Sequence, residues 1–230
     1  MRILLDTANL EDIRYFNTYY PIEGVTTNPS ILAHEGGDVI ALLKEIRAII
    51  GKNKEIHVQV TEQDYDKIIE ESKALISLLG NNTVVKIPVS DIGLKVTKAL
   101  SDEGYKVTVT AVLTAAQAML ASNAGATYVA PYVSRLENIC DDGVRCVADI
   151  HKVFSACDTK TQILAASFKT AREVLDVAAE GCHCATVSSS VMRRLIAHTT
   201  TDTSIEGFKS DWKRVFGDVT LLSLINKGDN

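Results

Sequence analysis

Residues 83–111, TVVKIPVSDIGLKVTKALSDEGYKVTVTA, hold two short apolar runs, Thr83–Pro88 and Lys106–Ala111, on either side of a helical pattern. Both runs are rich in Val, the first with Ile as well, and short, mainly apolar runs suit strands buried on both faces of a parallel sheet. Between them, Ser90 and Asp91 supply caps for a helix over Ser90–Ser101 that ends before Gly104. Parallel strands need such a crossover, and the unit recurs along the chain. Further runs lie at Arg2–Asp6, Gly24–Thr27, Glu55–Val60, Thr127–Pro131, Gln162–Ser167 and Ala185–Ser188. Helical periods fill the gaps. Over Gln63–Leu79, Ile68, Ile69, Leu75, Ile76, Leu78 and Leu79 recur at three-to-four spacing among charged residues. Asp38–Ile50 stops at Gly51, and Ala115–Ala124 stops before Gly125. About eight such units in a chain of this length predict a (β/α)8 TIM barrel of the α/β class. A doubly wound open sheet is the alternative, but no glycine-rich dinucleotide fingerprint follows any run. Gly24 and Gly36-Gly37 lack the GxGxxG spacing.

Composition agrees with one ordered domain: 230 residues, 46% hydrophobic and 23% charged. Twenty-four Lys+Arg against 29 Asp+Glu leave a net charge of −5, which disfavours nucleic acid and anionic membrane as partners. A small anion in a locally basic pocket remains compatible. No window approaches ~20 uninterrupted apolar residues, so no membrane span is expected. The amino terminus meets Asp6 too soon for a signal-peptide core. Five cysteines (Cys140, Cys146, Cys157, Cys182, Cys184) form no CxxC pair, so reduced thiols and a cytoplasmic location are expected. Cys182-His183-Cys184 suggests a metal, but adjacent ligands without a distant second pair favour packing. His34, His57, His151 and His198 are scattered and form no HExxH. No metal site is therefore expected. Residues 1–200 account for the barrel and 201–230 for an additional C-terminal helix and tail. In that tail Phe208, Trp212 and Phe216 share one helical face. Such a stripe fits the barrel's own exterior and a neighbouring subunit equally well.

Barrel active sites collect at the carboxyl ends of strands. The polar residues there are Asp6, Thr26, Thr27, Asn28, Gln59, Lys86, Thr110, Tyr132, Arg135, Ser167 and Lys169. Lys86 is the informative one. A lysine on a core-facing strand loses solvation, which lowers its pKa and leaves neutral amine able to attack a ketone. Its plain alternative is a lysine whose stem lies on apolar surface while its head reaches water. Asp6 suits either proton transfer or the first turn of the helix that begins near Asn9. Gly24-Val-Thr-Thr-Asn-Pro-Ser30 offers hydroxyls and an amide to a substrate, or caps the following turn. Arg135, Ser167 and Lys169 together suit a phosphate, because Arg presents bidentate donors and barrels bind phosphate near strands seven and eight.

The segments Gly24-Val-Thr-Thr-Asn-Pro-Ser30, Val84-Val-Lys-Ile-Pro88, Ala130-Pro-Tyr-Val-Ser-Arg135 and Ala165-Ala-Ser-Phe-Lys169, with Asp6, resemble the transaldolase family. The resemblance runs almost end to end and is strongest to the short fructose-6-phosphate aldolase branch. It implies a cofactor-free class I aldolase in which Lys86 forms the Schiff base and Asp6 serves proton transfer. It implies that Thr26, Asn28 and Thr110 contact the dihydroxyacetone part or a catalytic water, and that Arg135 and Ser167 hold phosphate. Lys169 stands where many transaldolases have arginine. Transaldolases resemble one another in a third-strand Glu and a Phe after the sixth-strand proline. Here Gln59 and Tyr132 stand there, as in the aldolase branch, although many relatives with this pattern carry the transaldolase name. Val187-Ser188-Ser189-Ser190 departs from the proline-containing stretch of close relatives at the expected phosphate end. The resemblance further implies sugar-phosphate substrates and a homopentamer or homodecamer assembled through the C-terminal helix. The expected activity is cleavage of fructose 6-phosphate or a similar ketose. The alternatives are transfer of dihydroxyacetone between sugar phosphates and, from another class, a non-catalytic phosphosugar-binding barrel.

Overall fold

The computed structural model describes residues 1–138 and 142–228. Eight strands pair in parallel in chain order: β1 (Arg2–Asp6), β2 (Gly24–Thr26), β3 (Glu55–Gln59), β4 (Thr83–Pro88), β5 (Val107–Val112), β6 (Tyr128–Pro131), β7 (Gln162–Ala165) and β8 (Cys184–Val187). β8 returns to β1, with Arg2 opposite Cys184 and Leu5 opposite Val187, and closes the barrel. Each strand falls on an apolar run, displaced by at most two residues at its ends. Glycine lets β2 lie close to β3: a Cβ on Gly24 would stand 2.3 Å from the Glu55 carbonyl oxygen.

Between strands run α1 (Leu10–Tyr19), α2 (Pro29–Glu35), α3 (Val39–Ile50), α4 (Tyr65–Leu79), α5 (Asp91–Asp102), α6 (Ala115–Asn123), α7 (Val133–Glu137), α8 (Gly143–Ala156) and α9 (Ala171–Ala179), and α10 (Ser189–Ile196) follows β8. The caps explain their starts. Asn9, Asp38, Asp64, Ser90 and Thr114 each turn a side-chain oxygen to a first-turn backbone N–H. Asn9 thus takes the capping role that Asp6 was offered, leaving the Asp6 carboxylate to the barrel mouth. Two short helices, α2 and α7, lie where periodicity gave no signal, directly after β2 and β6.

Strand side chains alternate, so one interior layer fixes the next. Leu4, Val84, Tyr128, Leu164 and Cys184 form a buried layer inside the barrel. Two residues further along the same chain segments stand Asp6, Lys86, Ala130, Ala166 and Thr186, the layer at the carboxyl-terminal mouth. Below, an ionic network closes the other end. Glu55 pairs with Lys106 Nζ (2.7 Å) and accepts from Tyr128 OH (2.8 Å), and His57 Nε2 lies 3.3 Å from it. Burial works to raise the Glu55 pKa, yet hydrogen bonds from His57 and Lys106 hold it down to about 2. Burial, with Glu55 beside it, pushes Tyr128 up to about 12.

The chain divides into two compact units, Met1–Met192 and a second beginning at Arg193. The second contains α11 (Thr199–Phe216) and α12 (Leu221–Gly228). Within it Trp212 Nε1 donates to the Val219 carbonyl (2.6 Å), and its ring centroid lies 4.5 Å from that of Phe216. Phe208 is 72% exposed. Cys146, Cys157, Cys182 and Cys184 are free thiols, and Cys182 and Cys184 are buried; Cys140 lies outside the described residues. Among the described residues no three His, Cys, Asp or Glu side chains group as metal ligands. No described helix is long and apolar enough to cross a membrane.

Candidate active site

Lys86 sits on β4 with only 5% of its surface exposed, and its Nζ donates to the Thr27 carbonyl at 2.9 Å. Burial pushes its pKa below the ordinary 10.5, with the Asp6 charge opposing that shift. At the end of β1, burial pushes the Asp6 carboxyl above its usual range, opposed by Lys86 and by the hydrogen bond from Thr26 Oγ1 (2.6 Å). Each member of the pair is driven toward its neutral form by burial, and the opposite charge of the other works against that shift. Thr26 Oγ1 also meets Thr186 Oγ1 at 2.6 Å, so β1, β2 and β8 are joined beneath the carboxylate.

A cavity of about 320 Å³ opens above this layer, lined by Asp6, Asn28, Lys86, Tyr132, Arg135 and Ser167 together with Ser30, Ile31, Ala166, Thr186 and Ser188. The first six are residues that strand-end position had singled out. Asn28 also serves the backbone: as N-cap of α2 its side chain accepts from Ile31 N at 3.0 Å, with Pro29 at the first helical position. Thr26 and Thr110 act from behind the lining. Thr110 Oγ1 donates to Tyr132 OH at 3.2 Å, setting the phenol at the mouth of the cavity. Gln59 is the register partner of Lys86 across β3 and β4 and does not reach the lining. Neither does Lys169, whose Nζ donates to Asn138 Oδ1 at 3.3 Å.

The other end of the cavity is built by the turns after β6 and β7. Tyr132 and Ala166 form a parallel bridge, Val133 N donates to Ala166 O (3.0 Å), and Ser134 N donates to Ser167 O (2.9 Å). Ser167 adopts a φ of +64°, a left-handed conformation that a non-glycine residue rarely takes. Strain of this kind persists where surrounding bonds over-determine it, often at functional sites. The Arg135 guanidinium lies over the Tyr132 ring, 4.6 Å from its centroid. Glycine permits the start of α8 to press against this turn, since a Cβ on Gly143 would stand 2.3 Å from Val133 O. The result is one cavity lined by a buried amine, a guanidinium and a hydroxyl.

Sequence position missed Ile31, Ala166 and Thr186, and reached Ser30 only as the end of the Gly24–Ser30 segment offered to a substrate. Thr186 was legible from period two: it follows Cys184 on the inward face of β8. Ser30 and Ile31 enter because α2 begins immediately after β2, which no apolar period announces.

Fold and buried amine together define a class: a (β/α)8-barrel enzyme of the Schiff-base aldolase and transaldolase type. The pattern described as Transaldolase/Fructose-6-phosphate aldolase matches residues 3–221, and the chain belongs to that family. It is 43% identical over 214 residues to a protein named "Probable transaldolase" from Thermoanaerobacter sp. (strain X514), covering 93% of this chain and 98% of that protein. A protein of the same name from Clostridium acetobutylicum is 41% identical over 216 residues, covering 94% of this chain and 99% of its own. Among solved structures, dihydrodipicolinate synthase from Rhodopseudomonas palustris superposes with a TM-score of 0.58 at 11% identity, covering 81% of this chain and 69% of that one. A barrel described as "Native KDPGal structure" gives 0.58 at 14% identity, covering 81% of each. At such identities these two speak for the barrel alone.

Proposed function

We propose that this chain is a class I aldolase that cleaves and forms fructose 6-phosphate or a similar ketose, with Lys86 as its Schiff-base residue. The observation that carries the reading is the buried Lys86 beside Asp6 in one cavity with Tyr132, Arg135 and Ser167. The neutral amine adds to the ketose C2 carbonyl, and loss of water gives an iminium. Removal of the C4 hydroxyl proton breaks the C3–C4 bond, and its electron pair flows into the iminium as an enamine. Glyceraldehyde 3-phosphate leaves; protonation at C3 and hydrolysis then free dihydroxyacetone and Lys86. Asp6 exchanges the protons of iminium formation. Tyr132, oriented by Thr110, serves the C4 oxygen, since a phenol both donates and accepts. Asn28 orients the dihydroxyacetone hydroxyls from the cavity wall, while Thr26 acts through Asp6 and Thr110 through Tyr132 from behind the lining, and Gln59 stands beside Lys86 on the neighbouring strand. Arg135 and Ser167 take the phosphate, with Ser188 also in the lining and Lys169 outside it on Asn138. The reaction needs no cofactor in this scheme.

The second reading is a transaldolase, favoured by the name its curated relatives carry. There the enamine attacks an acceptor aldehyde such as erythrose 4-phosphate instead of being protonated. Gln59 and Tyr132 support the aldolase. Product analysis separates the two: dihydroxyacetone released from fructose 6-phosphate without an acceptor supports cleavage, and turnover only with an acceptor contradicts it. A cytoplasmic place in carbohydrate metabolism and assembly through the C-terminal helix belong to the same reading.

A further inference from the structure

The two turns at the anion end of the cavity are joined by a carboxylate that the chemistry above does not use. Glu173 is the third residue of α9. Its oxygens accept from Ser134 Oγ (3.0 Å to each), from Lys169 N (2.7 Å) and from Thr170 N (3.0 Å). Thr170 Oγ1 in turn accepts from Glu173 N at 3.2 Å, completing a capping box. A capping box needs only the Thr170–Glu173 exchange. The bonds from Ser134 and Lys169 lie outside it. Ser134 is 2% exposed and immediately precedes Arg135; Lys169 N lies two residues beyond Ser167. One side chain therefore ties the turn that carries Arg135 to the turn that carries Ser167. Like charge makes a carboxylate near an anion site unfavourable, but here three donors and the start of a helix offset it.

We propose that Glu173 is a positioning residue for the phosphate end: it fixes the spacing of Arg135 and Ser167 so that both grip one substrate phosphate. The proposal rests on the reading of those two residues as phosphate ligands. It assigns Glu173 no contact with substrate. A small displacement of a positioning group weakens binding of the part it serves while the remote chemistry continues.

The test is borohydride trapping on the full-length protein, read by intact mass, at graded concentrations of fructose 6-phosphate and, separately, of unphosphorylated dihydroxyacetone. With Glu173→Ala, the half-saturating fructose 6-phosphate concentration is expected to rise about tenfold, and that of dihydroxyacetone to stay within about twofold. Glu173→Gln keeps an oxygen for the two backbone N–H groups and is expected to recover most of the loss. Ser134→Ala, which leaves the helix cap intact, should reproduce part of the selective loss if Glu173→Ala folds poorly. Thr170→Ala, which weakens the cap alone, should lower the melting temperature without changing the ratio of the two concentrations. Arg135→Ala supplies the benchmark. If it shows no selective loss for the phosphorylated ketose, the phosphate reading itself fails. If it does while Glu173→Ala and Ser134→Ala show none, or if Thr170→Ala shows the same selectivity, Glu173 is only a helix cap and the proposal is overturned.

Discussion

At the scale of the residue, the chemistry turns on what burial does to one amine. Lys86 has its Nζ on the Thr27 carbonyl and a carboxylate opposite, and burial lowers its pKa against the pull of Asp6. Only the unprotonated amine attacks a carbonyl, so the rate of adduct formation should rise with pH as Lys86 loses its proton. That rise is expected to have its midpoint below the 10.5 of an ordinary lysine. Trapping rates measured across the alkaline range check it; a midpoint at or above the ordinary value would contradict the desolvated-amine account. The type and position of Lys86 were legible in the sequence because a lone lysine interrupted a Val/Ile run. Its pairing with Asp6 was not: that carboxylate stood out as a strand-end residue, but it lies eighty residues away and reaches the amine only through barrel closure. Glu173 was invisible for the same reason, since helix capping fully explains it until Ser134 arrives from another turn.

At the scale of the element, all eight strands were legible because each is buried on two faces and reads as a continuous apolar run. Their ends were less so, because pairing with neighbours rather than composition decides where a strand stops. The helices α2 and α7 were missed: seven and five residues are too few to display a period. Both matter, since one brings Ser30 and Ile31 to the cavity and the other carries Arg135. Asn28 joins element to site, as both N-cap and cavity wall. Asn28→Ala is expected to cost about 1 kcal/mol of stability as well as activity, whereas Asn28→Ser keeps a capping oxygen and should cost activity with little stability. Urea unfolding and steady-state kinetics of the two variants check this. Equal destabilisation by both would contradict the capping role.

At the scale of the whole molecule, the barrel divides into a catalytic mouth and an ionic floor. Glu55, held at about 2 against an ordinary 4.5, binds fewer protons in the folded state than in the unfolded state between those values. Its contribution is therefore complete above about pH 4.5 and is lost as the pH falls toward 2. It amounts to at most about 3 kcal/mol. Glu55→Gln should be less stable than the parent near neutral pH, and the gap should narrow by about 2 kcal/mol between pH 6 and pH 3 in urea titrations. A constant gap would contradict it. The slight negative charge of the chain said nothing of the site, where Arg135 and Ser167 line the cavity and are proposed to take the phosphate. In the C-terminal unit Trp212 is held by its own helix–turn contacts, leaving Phe208 exposed. If that unit joins subunits, Phe208→Asp should reduce the mass seen by sedimentation, and an unchanged mass would count against assembly through it. The central claim, a Schiff base on Lys86, is tested most directly by intact mass after borohydride reduction with dihydroxyacetone. The account predicts one added dihydroxyacetone unit per chain, mapped to Lys86 by peptide analysis and absent in Lys86→Met; an unmodified chain, or an adduct on another lysine, would contradict it.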